Sequence, residues 1–386
     1  MKKAFRLAVA AGVAAAGLAL TLPSAVAGAT AASTVARPPA RAASPAVSGR
    51  LYAVTAISDR DVWAAGLTPD SPLLLHWNGS GWSEYVSGPG YYIGVADSSA
   101  RDVWAVGGTN WFSPTQTLAV HWNGSSWTQV RTPSPAGGGY FNAVAATSPR
   151  NAWAVGLAGP GPGVPSPTTP LIEHWNGKTW TIQGFQASPA GGEFAGVAAT
   201  SASNAWAAGW TGPASEGTGQ QTLIEHWNGK TWRRVPSPNP PGSTGSFLKG
   251  VAVISATSAW AVGNSVIGGQ CKTLVLYWNG RHWTIVPSPT PGGDAAFMGV
   301  AASWTRNIWA VGITNPTRCG HGPACQTLIE HWNSTRWKVI PSPNPPSDYL
   351  NVLFSASAIA RDDIWAVGST DYASVLVVHW NGHSWS

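Results

Sequence analysis

Charge is scarce in this chain. Asp, Glu, Lys and Arg make up 10% of its 386 residues, against about 25% in an average globular protein. Its surface must therefore be built from Ser, Thr, Asn, Gln, Gly and Pro. The formal net charge of +6 falls to +3 once Lys2, Lys3 and Arg6 are set aside, because the first 27 residues hold three basic and no acidic side chains. With no Lys/Arg cluster interleaved with aromatics along the chain, that balance gives no case for nucleic acid. Long apolar runs are equally rare. After Leu7–Leu22 no second one follows, so no stable membrane span is expected. No segment has a helical apolar period. The three cysteines lack the usual spacing of zinc ligands.

What is present begins with a targeting segment. Lys2, Lys3 and Arg6 precede an Ala/Leu/Val run, and Ala25-Val26-Ala27 offers the small residues a signal peptidase reads. Residues 1–27 are expected to be a signal peptide cleaved after Ala27, with Ala31 as the alternative cut. The run is too short and Ala/Gly-rich for a permanent anchor. Residues 28–48 are rich in Ala, Pro, Ser, Thr and Arg and read as a flexible linker. The protein is expected outside the cell, as a monomer.

Residues 49–386 are seven copies of one unit. A Trp-Ala-x-Gly motif opens at Trp63, Trp104, Trp153, Trp206, Trp260, Trp309 and Trp365. A second motif carries two tryptophans five apart, 77/82 in the first copy and 380/385 in the last. Trp63 to Trp365 is 302 residues in six steps, a mean of about 50, in the range of propeller repeats. Each copy offers four short strands, a to d. In the fourth they are Phe194–Thr200, Asn204–Gly209, Thr222–Trp227 and Thr231–Pro236. Six of the seven c–d connections carry Asn-Gly, which predicts a type I′ turn with positive φ at both positions. The sixth copy has Asn333-Ser334 instead.

Strands a and b are almost wholly apolar, so both faces of each sheet need cover, and only the other copies can supply it. A bulky face, Trp104 and Val106 in the second copy, can nest against the small residues of its neighbour. Such sheets close into a ring. The expected fold is all-β, a seven-bladed β-propeller of four-stranded antiparallel blades. The sequence stops at Trp385-Ser386, which leaves only the start of the last outer strand. Ser33-Thr-Val-Ala-Arg-Pro38 loosely resembles Trp127–Pro133 and is a candidate to complete that blade.

An apolar first strand, a second ending in Gly and a fourth opening on Trp after a tight turn together resemble kelch repeats, although only Gly107-Gly108 has their paired glycines. The c–d turn also resembles the Asp-box of bacterial sialidase-type propellers, Ser-x-Asp-x-Gly-x-Thr-Trp. Gly177-Lys-Thr-Trp180 and Gly229-Lys-Thr-Trp232 match its second half, with Trp175 and Trp227 at the Asp position. Together the repeats resemble the Trp-rich propeller repeats of secreted bacterial proteins. That resemblance covers nearly all of 49–386 and implies a fold but no activity.

Several recurring polar residues invite a catalytic or metal reading. His76, His121, His174, His226, His331 and His379 share one repeat position, but Tyr277 fills it in the fifth copy and strand c lies third from the tunnel. At that radius no ion can be shared, and a buried ring with a hydrogen-bonded tip explains His and Tyr alike. Glu173, Glu225 and Glu330 share a position with Leu75, Val120, Leu276 and Val378. A glycosidase pair needs carboxylates about 5–10 Å apart, which separate blades do not promise. Arg60, Arg101, Arg150 and Arg306 fall in a–b turns beside Asp or Asn, opposite the usual active face of a sialidase, and read as turn chemistry with local pairing. No catalytic residue, metal or cofactor is expected.

Cys319 and Cys325 bracket a short loop and are expected to form a disulfide, leaving Cys271 over, with Cys271–Cys319 as the alternative. The ligand candidates are residues that break the repeat. Of 24 tryptophans, only Trp111, Trp210 and Trp304 fall outside repeat slots. Trp111, Phe112 and Trp210 fall in b–c loops, which with the d–a loops form the face where propellers usually bind. The expected function is a non-catalytic binding scaffold whose partner is a glycan or an extracellular protein. The second reading is a glycosidase or lyase at the tunnel mouth, where Asp70, Glu216, Asp294, Asp348 and Asp371 are the unmatched carboxylates.

Overall fold

The computed structural model describes residues 45 and 47–386, except 86–87, 89, 111–114, 160–167, 187, 189, 213–218, 305 and 319–324. Seven antiparallel sheets follow one another along the chain, six ordered a-b-c-d and the seventh a-b-c. This is the seven-bladed propeller the repeat predicts. Blade four is Gly192–Ser201, Asn204–Thr211, Gln221–Trp227 and Trp232–Arg234. In blade seven three strands form, Asn351–Ala360, Asp363–Thr370 and Ser374–Trp380. Its outer strand is reduced to Trp385–Ser386, where Ser386 and His379 exchange two backbone bonds of 3.0 Å. Residues 33–38, the candidate fourth strand, lie outside the described residues.

The Trp-Ala-x-Gly tryptophans hold the blades together. Each is buried in strand b and inserts against the tryptophan pair of the next blade. Trp63 lies 5.1 Å from both Trp122 and Trp127, and Trp206 lies 5.0 and 5.3 Å from Trp278 and Trp283. Trp365 of blade seven meets Trp77 and Trp82 of blade one at 5.9 Å, which completes the circuit. Backbone bonds repeat at the seams too. The chain entering strand a donates to the chain just before strand c of the preceding blade: Gly139 to Thr115 at 3.0 Å, Gly192 to Thr168 at 3.1 Å, and at closure Gly49 to Ala373 at 2.8 Å. The closing seam adds bonds from the Val54 and Ala56 amides to the hydroxyls of Ser355 and Ser357.

The motif's glycine has a different task. In every blade strand a carries a β-bulge at one place, and the extra residues are Tyr52, Ile93, Asn142, Ala195, Lys249, Met298 and Phe354. The bulge lays a strand-a carbonyl over the glycine. A Cβ at Gly209 would stand 2.0 Å from the Glu193 oxygen. Only glycine fits opposite the bulge.

The c–d turns differ from the expected type I′. Positive φ occurs at the second position only, 93° at Gly177 and 92° at Gly229, and the loop is four residues long. The reason is the asparagine side chain. Asn176 Oδ1 accepts from the amides of Lys178 and Thr179 at 2.9 and 3.0 Å, an Asx turn that replaces the second positive φ. In blade six Ser334 is held at φ 79°. A second device explains the Pro-Ser-Pro segments after strand d. Their serines, Ser237 and Ser342, lie 2.8 and 2.6 Å from the hydroxyls of Thr222 and Thr327 at the start of strand c.

Candidate functional site

The six repeat-position histidines belong to half-buried polar chains inside their blades. His76, His121 and His379 Nε2 donate to Asp61, Asp102 and Asp363 at 2.8, 2.6 and 2.8 Å. His174, His226 and His331 donate to Asn151, Asn204 and Asn307 at 2.8, 2.9 and 3.0 Å. Each ring stacks on its own blade's strand-b tryptophan, as His174 does on Trp153 at 4.1 Å, and Tyr277 takes this place on Trp260 at 4.6 Å. In blades two, three, four and six the far end of the chain is a strand-a hydroxyl: Ser98 donates to Asp102, and Asn151 Nδ2 donates to Thr147 at 2.7 Å, as Asn204 does to Thr200 and Asn307 to Ser303. The carboxylate or amide thus stands between hydroxyl and imidazole. A nucleophile needs the imidazole in the middle, so this order fastens strands and activates nothing. Burial holds His174, His226 and His331 below the ordinary imidazole range, His331 at about 4 with help from Arg361.

Glu173, Glu225 and Glu330 are fully buried. They share a strand face with the first tryptophan of the second motif, so they point into the seam with the preceding blade. Burial pushes Glu173 and Glu330 up to about 8 and Glu225 to about 7, the last moderated by Arg234 at 3.4 Å. They occupy three different seams and cannot act on one bond. The arginine turns keep only part of their expected pairing. Arg60 lies 3.8 Å from Asp59, while Asp61 and Asp102 are taken by histidines.

At the tunnel, the bulge residues converge. Tyr52, Ile93 and Phe354, with Met298 against them, share one apolar cluster with Tyr91 and Tyr140. Residues from blades one, two, three, six and seven meet there. Burial raises the Tyr52, Tyr91 and Tyr140 hydroxyls, and the Glu193 charge adds to the effect at Tyr140. None is a ready phenolate. Blades three to five supply a polar sector. Asn142 donates to Glu193 at 3.0 Å and to the Phe194 carbonyl at 2.8 Å, and the Lys249 ammonium lies 4.3 Å over the Trp210 ring. Sequence reasoning missed Asn142, Glu193 and Lys249. Their one signal is polarity in a strand whose other copies are apolar.

Trp210 is not the exposed loop residue expected. Strand b runs on through it, paired with Glu193 and Thr222, and it is 3% exposed against Phe247 and Ala195. Trp111 and Phe112 lie outside the described residues, as does Cys319, and with it the Cys319–Cys325 pairing. Cys271 keeps its thiol, which removes the alternative Cys271–Cys319 bridge. Of the unmatched carboxylates, Asp294 binds the amides of Cys271 and Thr317 at 3.0 and 3.1 Å. Asp371 gathers the amides of Asp348, Tyr349 and Leu350 at 2.9–3.0 Å. Slight burial works against its charge, but those three bonds outweigh it and hold Asp371 below its usual value. Tyr349, at 58% exposure, is thereby presented on the d–a loop. Glu216 lies outside the described residues. No group of three or more metal-ligating side chains exists among the described residues.

One seam is open. Between blades one and two a groove of about 440 Å³ is walled by Tyr85, Tyr92, Leu118, Trp122 and Trp127 and rimmed by Ser125, Ser126 and Gln129. The d–a connection here has only residues 86–90, whereas blade four spends 235–244 on it.

No protein-family profile matches the chain, and no curated protein does. Solved structures do match in fold. YCF48 bound to a D1 peptide aligns with a TM-score of 0.55 and 14% identity over 90% of this chain and 96% of its own. YCF48 from Cyanidioschyzon merolae gives 0.55 and 14% over 89% and 99%. U3-55K gives 0.54 and 10% over 86% and 95%. Identities this low establish the propeller fold alone.

Proposed function

We propose that the protein is a non-catalytic binding scaffold working outside the cell, with the b–c/d–a loop face taking a protein or glycan partner. The observation that carries this reading is the fate of the repeated polar residues. The His–Asp/Asn chains fasten strands within blades, and the glutamates are sealed one to a seam. Four of the bulge residues, Tyr52, Ile93, Met298 and Phe354, pack in one apolar cluster. What differs between blades is loop length, and loops on a rigid scaffold are where binding is built. A propeller of the same fold, YCF48, has been solved with a D1 peptide, which supports a peptide partner as one form of this reading. The bacterial, secreted character implied by residues 1–27 and the Trp-rich repeat remains part of the same proposal.

The test is a screen of the purified protein against glycan and peptide arrays, beside Trp111→Ala and Tyr349→Ala variants. Binding that drops at least tenfold in either variant, with an unchanged circular dichroism spectrum, is the expected result. Binding that both variants retain in full would move the site off this face.

A further inference from the structure

The opposite face, formed by the a–b and c–d turns, carries most of the exposed cations among the described residues. Arg60, Arg101, Arg150, Arg306 and Arg361 stand in a–b turns, and Lys178, Lys230, Arg281 and Arg336 in or beside c–d turns. All nine are exposed, and every blade contributes at least one. Only Asp59 and Asp362 are exposed acids on this face, since Asp61, Asp102 and Asp363 are bound to histidines. Nine cations thus face two open carboxylates in a protein with little charge anywhere else. Apart from Arg60, none of the nine is in an ion pair among the described residues. The arginine stems are also fixed. A Cβ at Gly79, Gly124 or Gly177 would lie 2.7–2.8 Å from the side chain of Arg60, Arg101 or Arg150, so these three stems rest on their own blades' c–d turns.

Indoles lie among these cations. Trp175, Trp227 and Trp278 donate their N–H to the a–b turn carbonyls of Pro149, Ala202 and Ala256 at 2.9–3.0 Å, which holds them half-buried at the surface. Trp304, outside the repeat, is 58% exposed two residues before Arg306. Fixed flat rings between exposed positive charges are suited to sugar rings that carry anionic substituents. A single-stranded nucleic acid calls for a continuous groove tracking its backbone, whereas here the charges are spread round an open ring. One protruding indole is too little apolar surface to enter a bilayer.

We propose that this face binds an acidic polysaccharide through Arg150/Lys178 and Arg306/Arg336, from the two blades that supply two cations each, with Trp304 as a stacking platform. The site is separate from the loop-face reading and stands or falls without it. Its test is binding of the purified full chain to dextran sulfate, with neutral dextran as control, over a series of salt concentrations. Arg150→Gln/Lys178→Gln/Arg306→Gln/Arg336→Gln should bind about tenfold more weakly or worse and with a flatter salt dependence, since fewer counterions are released. Trp304→Ala should weaken binding with the salt dependence kept, and Arg131→Gln, on the other face, should change nothing. If the fourfold variant melts early, its two double variants replace it. Undiminished binding by the fourfold variant, equal retention on neutral dextran, or failure to bind dextran sulfate would overturn the proposal. Tighter binding to single-stranded DNA or to phosphatidylserine vesicles would overturn it as well.

Discussion

Glu173 and Glu330 are buried in strand c with neither carboxylate oxygen hydrogen-bonded among the described residues, and burial pushes each up to about 8. Such a group holds its proton in the folded chain and loses it near 4.5 in the unfolded one, so stability falls as pH rises from about 4.5 to about 8. His174, His226 and His331, held low, act with the opposite sign, but only below their ordinary value of 6.5. Between pH 6.5 and 8 the buried acids act alone. Glu173→Leu/Glu330→Leu, borrowing the residue of Leu75 and Leu276, should raise stability at pH 8 by on the order of 2–4 kcal/mol and flatten the decline from pH 6.5. Urea melts at the two pH values measure it, and an equal decline in both proteins would show that the acids are solvated. Nothing in the repeat announces this burial, because Glu alternates with Leu and Val at one position and reads as tolerance of exposure.

At the scale of the element, the c–d turn shows how a correct signal can carry the wrong mechanism. Asn-Gly marks the hairpin in six blades, yet the asparagine works through its side chain and only the glycine needs positive φ. Ser334, at φ 79°, therefore bears a strain the other blades avoid. Ser334→Gly should stabilise the protein by about 0.5–1 kcal/mol in thermal or chemical unfolding, and a loss would mean that the serine has a compensating role. The Trp-Ala-x-Gly glycine is the converse case, plain in the sequence and opaque in purpose until the bulge is seen. Gly209→Ala forces a methyl into the Glu193 carbonyl and should cost about 3 kcal/mol or more. A smaller loss would mean that the bulge can relax. The bulge itself was illegible, since its extra residue changes from Tyr to Asn to Lys between blades. The sequence pattern ends strand b of blade four at Gly209, two residues short of Thr211, for a related reason: its continuation through Trp210 depends on pairing with Glu193, a contact no local pattern encodes.

For the whole molecule, the sevenfold ring was legible because every blade repeats the same tryptophans, and they close the circuit from Trp365 to Trp77 and Trp82. Function was far less so, because the residues with chemical potential recur for structural reasons and the face-wide arrangement of charge emerges only once seven turns lie side by side. The central claim is that this propeller binds without transforming what it binds. Its most direct test is mass spectrometry of a partner found on the arrays, after long incubation with the protein at equal concentration. The account predicts a partner recovered chemically intact, at the level of a heat-inactivated control. Products that accumulate with protein concentration and vanish in Glu193→Gln would contradict it and return the tunnel to the status of an active site.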